Sequence, residues 1–255
     1  MRSHGSGEPL RILVVSDIHA NWPALAAIDE PHDLCLCLGD LVDYGPDPAA
    51  CVRWAMQHAD HTIRGNHDHG VAQGVPVIGE TGFRYLTRMT RPLQWPALDS
   101  DERRFLLQLP LTKRLVLDGR KFYLVHGTPR DPLDEYLLKD PGTWEKRLEG
   151  IEADIVCVGH SHMQFNLRVG DTIVLNPGSV GMPRDGDNRV GYAIIDGGRI
   201  ELKRVEYPIE ETIARILASP LPDRAKQTLA ACLRLGRMPH NDNGITPRPE
   251  PPSTD

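Results

Sequence analysis
The chain has 255 residues, of which 40% are hydrophobic and 25% charged, the composition of a globular protein long enough to bury a sizeable core. Its formal net charge of −6, from 29 basic and 35 acidic side chains, argues against a dedicated nucleic-acid surface, yet a few local cations would suffice for a small anionic substrate. No apolar run approaches the ~20 residues that cross a bilayer, so no membrane span is expected.

Residues 1–9 form a polar lead-in without the apolar heart of a secretory signal. The β-branched run 10–16 predicts a buried strand, followed by a helix over 22–30 with Asn21 as cap and Pro23 in its first turn. A second strand spans 33–38, a second helix runs from Asp47-Pro48 to about residue 59, and a short third strand covers 61–64. This β-α-β-α rhythm implies parallel strands with crossover helices, an α/β class. Residues 71–110 lack strand pattern and predict a helical insertion, with an amphipathic helix over 101–109 capped by Asp99 or Ser100. Asp118-Gly119 marks a hairpin between strands at 114–117 and 121–125. A helix over 135–149, broken near Pro141, precedes a strand at 154–158. Two more hairpins turn at Gly170-Asp171 and Gly197-Gly198, and one helix over 209–235 closes the domain, taken as 10–235. The Pro-rich stretch 236–255 is too poor in apolar side chains to offset its ordering entropy and predicts a loose tail. Five scattered cysteines fit neither a disulfide framework nor a Cys-x-x-Cys site, which points to buried thiols in a cytoplasmic protein.

Five predicted strands end in the same residue types: Asp17 and His19, Asp40, Asn66 and His67, His126, and His160 with His162. Loops at the carboxyl ends of strands in open α/β sheets gather at one edge. Residues two apart on an extended chain share a face, so Asp17 with His19, and His160 with His162, can aim at one point. Imidazole, carboxylate and amide oxygen suit divalent ions such as Mn, Fe, Zn, Ni or Co. Two carboxylates, four histidines and one asparagine exceed the needs of one ion, and sharing Asp40 between two ions resolves the count.

The ordered set Asp-x-His (17–19), Gly-Asp-x-x-Asp (39–43), Gly-Asn-His-Asp (65–68), His-Gly (126–127) and Gly-His-Ser-His (159–162) resembles the signature of the calcineurin-like metallophosphoesterases. The stretch Asn-Pro-Gly-Ser-Val-Gly at 176–181 resembles the small single-domain bacterial and archaeal branch. The resemblance implies a four-layer α-β-β-α sandwich holding two divalent ions, manganese foremost. It places one ion on Asp17, His19, Asp40 and His162, and the other on Asp40, Asn66, His126 and His160. Asp40 and His67 would be catalytic, His67 protonating the leaving oxygen after in-line attack by a hydroxide bridging the ions. Asp43 and Asp68 would orient the histidines from behind.

For substrate contacts the candidates are Arg184, Asn21, which otherwise caps its helix, and Arg64, which otherwise pairs with a carboxylate. Arg130, like Arg184, lies on a loop expected to face the crevice, and Tyr44 is read as turn filler. The expected partner is a small phosphate ester or nucleotide, and the leading reading is a phosphodiesterase. A phosphomonoesterase, a protein serine/threonine phosphatase, a dinucleoside polyphosphate hydrolase and a catalytically silent metal-binding scaffold are the alternatives.

Overall fold
A computed structural model describes residues 9–239. The expectations for most of the lead-in and for residues 240–255 of the tail lie outside the described residues. The chain opens with β1 (Arg11–Val15), α1 (Trp22–Ala26), β2 (Leu34–Cys37), α2 (Pro48–His58) and β3 (His61–Thr62), the expected alternation. Next come α3 (Asn66–Ala72), α4 (Gly82–Gln94), a 3₁₀ turn at Trp95–Ala97 and α5 (Ser100–Gln108). The hairpin β4 (Thr112–Leu117) and β5 (Arg120–Val125) leads to α6 (Pro141–Arg147) and β6 (Ile155–Cys157). Two further hairpins follow, β7 (Phe165–Val169) with β8 (Thr172–Asn176) and β9 (Val190–Asp196) with β10 (Arg199–Val205). The helices α7 (Ile209–Ala218) and α8 (Asp223–Leu235) end the described chain.

The strands form two five-stranded sheets, ordered β10-β9-β1-β2-β3 and β4-β5-β6-β8-β7. β1, β2 and β3 run parallel, as do β5, β6 and β8, which sends their carboxyl ends to a common side of each sheet. Strand alternation then sorts the apolar side chains by layer. Ile12 and Val14 of β1 join Leu36, Phe122, Leu124, Ile155 and Leu175 in the core between the sheets. Leu13 and Val15 face the other way, into a core with residues of α1, α2 and α5. Trp144 of α6 covers the outer face of the second sheet with Tyr123, Val156 and Val174. The result is the expected four-layer sandwich.

Prolines account for the departures. The predicted helix over 209–235 is two helices, because Pro220 and Pro222 interrupt the amide ladder; Pro222 instead stands at the cap of α8. Pro141 does not break a helix but begins α6, where its missing N–H is harmless and Asp140 caps Gly142 N at 3.2 Å. Residues 135–140 stay non-helical, with Glu135 paired to Arg147 at 2.5 Å. The first helix ends at Ala26 rather than residue 30, ahead of Pro31, which disfavours helical geometry at Glu30.

Candidate metal centre
The loops after β1, β2, β3, β5 and β6 meet at one edge of the sandwich and bring all seven predicted ligands together. Asp17, His19, Asp40 and His162 present ligand atoms within 4.8 Å of one another, as do Asp40, His126 and His160. Asn66 Oδ1 completes the second group, 3.2 Å from His126 Nε2 and 3.1 Å from His160 Nδ1. The pairs Asp17/His19 and His160/His162 do converge, but not through the strand alternation expected from sequence. All four have left-handed backbone, φ 48° to 62°, as do Ala20, Asp40, Asp43 and Tyr44. Such φ is uncommon outside glycine and concentrates where a site over-determines its loops. The loops also need glycine to touch: a Cβ on Gly39 would lie 2.4 Å from Gly65 N, and one on Gly159 would lie 2.1 Å from Ser16 Oγ.

The tautomers follow from the backbone. His19, His126 and His162 each place Nδ1 against a carbonyl, of Val42 (3.0 Å), Leu38 (2.8 Å) and Met182 (2.5 Å). A carbonyl only accepts, so each Nδ1–H donates, and in the neutral ring that a cation requires each Nε2 turns a lone pair into the site. Those nitrogens face acceptors: His162 Nε2 is 3.2 Å from Asp17 Oδ1, and Asp40 Oδ2 lies 3.1 Å from His126 Nε2 and 3.7 Å from His19 Nε2. The second oxygen of each carboxylate is tied to backbone, Asp40 Oδ1 to His67 N and Asp17 Oδ2 to His160 N. Among the described residues, Asp17 Oδ1 and Asp40 Oδ2 are buried without a well-formed hydrogen bond. Converging lone pairs in a buried site call for a cation, and this donor set fits one.

The electrostatics record the same crowding. Burial raises Asp17 to about 6, with Asp40 adding to the shift. Burial favours neutral His126, but Asp40 and Asp17 outweigh it and push the imidazole up to about 10. Burial, then the charge of His126, lowers His160 to about 3, and His19 and His162 are held well below the usual histidine range, chiefly by burial.

The calcineurin-like phosphoesterase superfamily domain matches residues 10–198. The chain belongs to that superfamily. It is a metal-dependent phosphoric ester hydrolase. An uncharacterized protein of Methanocaldococcus jannaschii is 32% identical over 240 residues, 83% of this chain and 94% of that protein. The phosphodiesterase YfcE of Escherichia coli K12 is 21% identical over 83% of this chain and its own whole length. The crystal structure of a metallophosphoesterase from Sphaerobacter thermophilus superposes with a TM-score of 0.76 at 29% identity, covering 89% of this chain and 99% of that one.

Around the metal cluster of this phosphoesterase, the remaining predicted residues divide. His67 is buried beside it, Nε2 4.0 Å from Asp40 Oδ2 and Nδ1 2.8 Å from Asp43 Oδ2. Asp43 thus orients His67. Asp68 orients no histidine; it accepts from Asp40 N, Leu41 N and Gly65 N, because the turn of α3 aims it at backbone. The histidines that carry Nε2 into the site are held from behind by carbonyls instead. Asn21 is 1% exposed, and its amide is consumed by Ala24 N, Gly181 O, Tyr207 Oη and Thr212 Oγ1, so it caps and braces rather than meeting substrate. Arg64 turns away to donate to Leu107 O at 2.5 Å. Arg184 stays close enough to lower the pKa of Asp17, His19 and His162, and its guanidinium stacks 3.9 Å over Phe83. Tyr44 is more than turn filler: its ring packs 4.6 Å from His19 and its hydroxyl lies 3.4 Å from His67 Nε2. Sequence reasoning missed Tyr136, whose ring stands 5.7 Å from His160 with its hydroxyl on Ser161 O; no motif marks it. Among the described residues no helix is long and apolar enough to cross a membrane.

Proposed function
We propose that this enzyme is a dinuclear phosphodiesterase, manganese its foremost metal, acting on small phosphate diesters in the cytoplasm. The observation that carries the reading is the pair of orphaned, buried oxygens, Asp17 Oδ1 and Asp40 Oδ2, ringed by imidazole lone pairs. Asp17, His19, Asp40 and His162 would hold one cation, and Asp40, Asn66, His126 and His160 the other. Two divalent ions there supply Lewis acidity, neutralising phosphate oxygens and lowering the pKa of water toward ~7. Arg184, near enough to act electrostatically on Asp17, His19 and His162, adds a cation for a phosphate oxygen. Water gives up one proton to solvent and, as hydroxide, adds to phosphorus in line as the P–O bond to the leaving group breaks. The departing oxygen keeps the bonding electrons and takes the proton from His67 Nε2, while Asp43 holds Nδ1–H. The likeness to a phosphodiesterase over its full length supports the diester preference.

The test is hydrolysis of bis(p-nitrophenyl) phosphate and p-nitrophenyl phosphate by metal-stripped protein, with Mn, Fe, Zn, Ni, Co and Mg restored one at a time. Manganese-restored turnover with the diester faster is the expected result. A faster monoester would reverse the substrate class, and silence with every metal would sink the dinuclear reading.

A further inference from the structure
A buried ion pair lies behind His67 and outside the ligand sets. Arg91 of α4 donates from Nε (2.9 Å) and Nη2 (2.7 Å) to Asp43 Oδ2, the same oxygen that takes His67 Nδ1 at 2.8 Å. The Asp43 side chain is fully buried and that of Arg91 is 13% exposed. Among the described residues Asp43 Oδ1 has no hydrogen-bond partner, and Oδ2 anchors the carboxylate. The guanidinium crosses α3 at Gly70, where a Cβ would stand 2.2 Å from Arg91 Nη1, and Nη1 donates onward to Val75 O. The same face of α4 clamps the loop that carries Asp43: Gln94 Oε1 accepts from Asp43 N, Thr90 Oγ1 from Tyr44 N, and Thr87 Oγ1 donates to Tyr44 Oη. Asp43 and Tyr44 both have left-handed backbone, at φ 67° and 63°, and need such a clamp.

We propose that Arg91 is a positioning residue for leaving-group protonation, fixing Asp43 and through it the His67 ring in an Arg91–Asp43–His67 relay. The inference rests on the reading of His67 as proton donor. Without Arg91, one imidazole N–H is all that holds Oδ2, the vacant Oδ1 makes rotation of the carboxylate cheap, and Nε2 loses its aim. Displacement by about 1 Å at a proton donor is costly in rate even when every catalytic atom survives. The helix α4 is thereby wired to the chemistry, although none of its residues enters the metal cluster.

Leaving-group dependence separates this role from a structural one. A p-nitrophenolate departs without a proton, whereas phenol and an alkyl alcohol need one. Arg91→Gln and Gly70→Ala, the second displacing the guanidinium without deleting it, should lower kcat about tenfold or more for phenyl and alkyl diesters. Both should change p-nitrophenyl release by less than about threefold, leave KM and bound metal per chain unaltered, and Arg91→Lys should recover part of the loss. Uniform loss across all leaving groups, or loss of metal, would make Arg91 structural and overturn the proposal. His67→Gln run in the same series distinguishes the layers. If it is steeply leaving-group dependent while Arg91→Gln is flat, only the relay falls. If His67→Gln is itself flat, the donor assignment and the relay fall together, whereas metal-restored turnover still stands.

Discussion
Three backbone N–H groups converge on the Asp68 carboxylate: Asp40 N and Leu41 N at 2.8 Å, and Gly65 N at 3.0 Å. These amides belong to the two loops that carry Asp40 and Asn66, so one side chain sets the spacing between ligands of different strands. Asp68 is fully buried, and truncation would leave the amides without acceptors at about 1–3 kcal/mol each. Asp68→Ala should therefore lower the urea stability by about 3 kcal/mol or more and weaken metal binding with it. Retained metal affinity in a destabilised variant would show that the ligand loops hold themselves. Sequence spacing could name Asp43 and Asp68 as supports but not divide their roles, since which carboxylate meets an imidazole and which meets an amide depends on the turn into α3. Arg91 and Tyr136 were illegible for a related reason: Arg91 reaches the site from α4, which carries no ligand, and Tyr136 stands ten residues after His126 of the His-Gly motif in its own loop.

Glu30, just beyond the early end of α1, gathers three strands of the first sheet. Its carboxylate takes Arg11 of β1 at 2.5 Å, Lys203 of β10 at 2.7 Å and Tyr192 of β9 at 3.0 Å. Burial works against the charge, but Lys203, Arg11 and Tyr192 outweigh it and hold the group below its ordinary value of 4.5. A depressed carboxylate contributes stability above its unfolded pKa and loses it as pH falls through the folded one. Glu30→Gln should cost about 1–2 kcal/mol near neutral pH, and its deficit should close as pH drops below 4.5. Urea midpoints for both proteins across that range read the effect; a deficit independent of pH would assign it to packing. The strand order along the chain and the hairpins were legible because alternation and Asp118-Gly119, Gly170-Asp171 and Gly197-Gly198 are local signals. The helix ends were not. Pro141 reads alike as a breaker or a first-turn residue, and only the capping carboxylate of Asp140 decides between them.

At the scale of the molecule, the proposed ligands come from both sheets: Asp17, His19, Asp40 and Asn66 follow strands of the first, His126, His160 and His162 strands of the second. The identities of these residues were readable because motifs at strand ends survive in order along the chain. The left-handed backbone of Asp17, His19, Asp40, His160 and His162 was not, because no short-range pattern dictates positive φ at Asp or His. Strained loops, two orphaned carboxylate oxygens and opposed lone pairs all raise the energy of the metal-free fold, and a cation relieves the last two at once. A metal that binds only the folded chain stabilises it by about 2.7 kcal/mol when present at 100 times its Kd. For a domain of this size that corresponds to about 5–10 °C in Tm. Chelation should lower Tm by that amount, restored manganese should recover it, and calorimetry should show the shift growing with the logarithm of metal concentration. Because the cluster spans the two sheets, the whole transition should move as one. A chelator-insensitive transition would mean that the sandwich closes without its cations, and that the crowded carboxylates are relieved by protons instead. A split transition would mean that each sheet holds its own half of the centre.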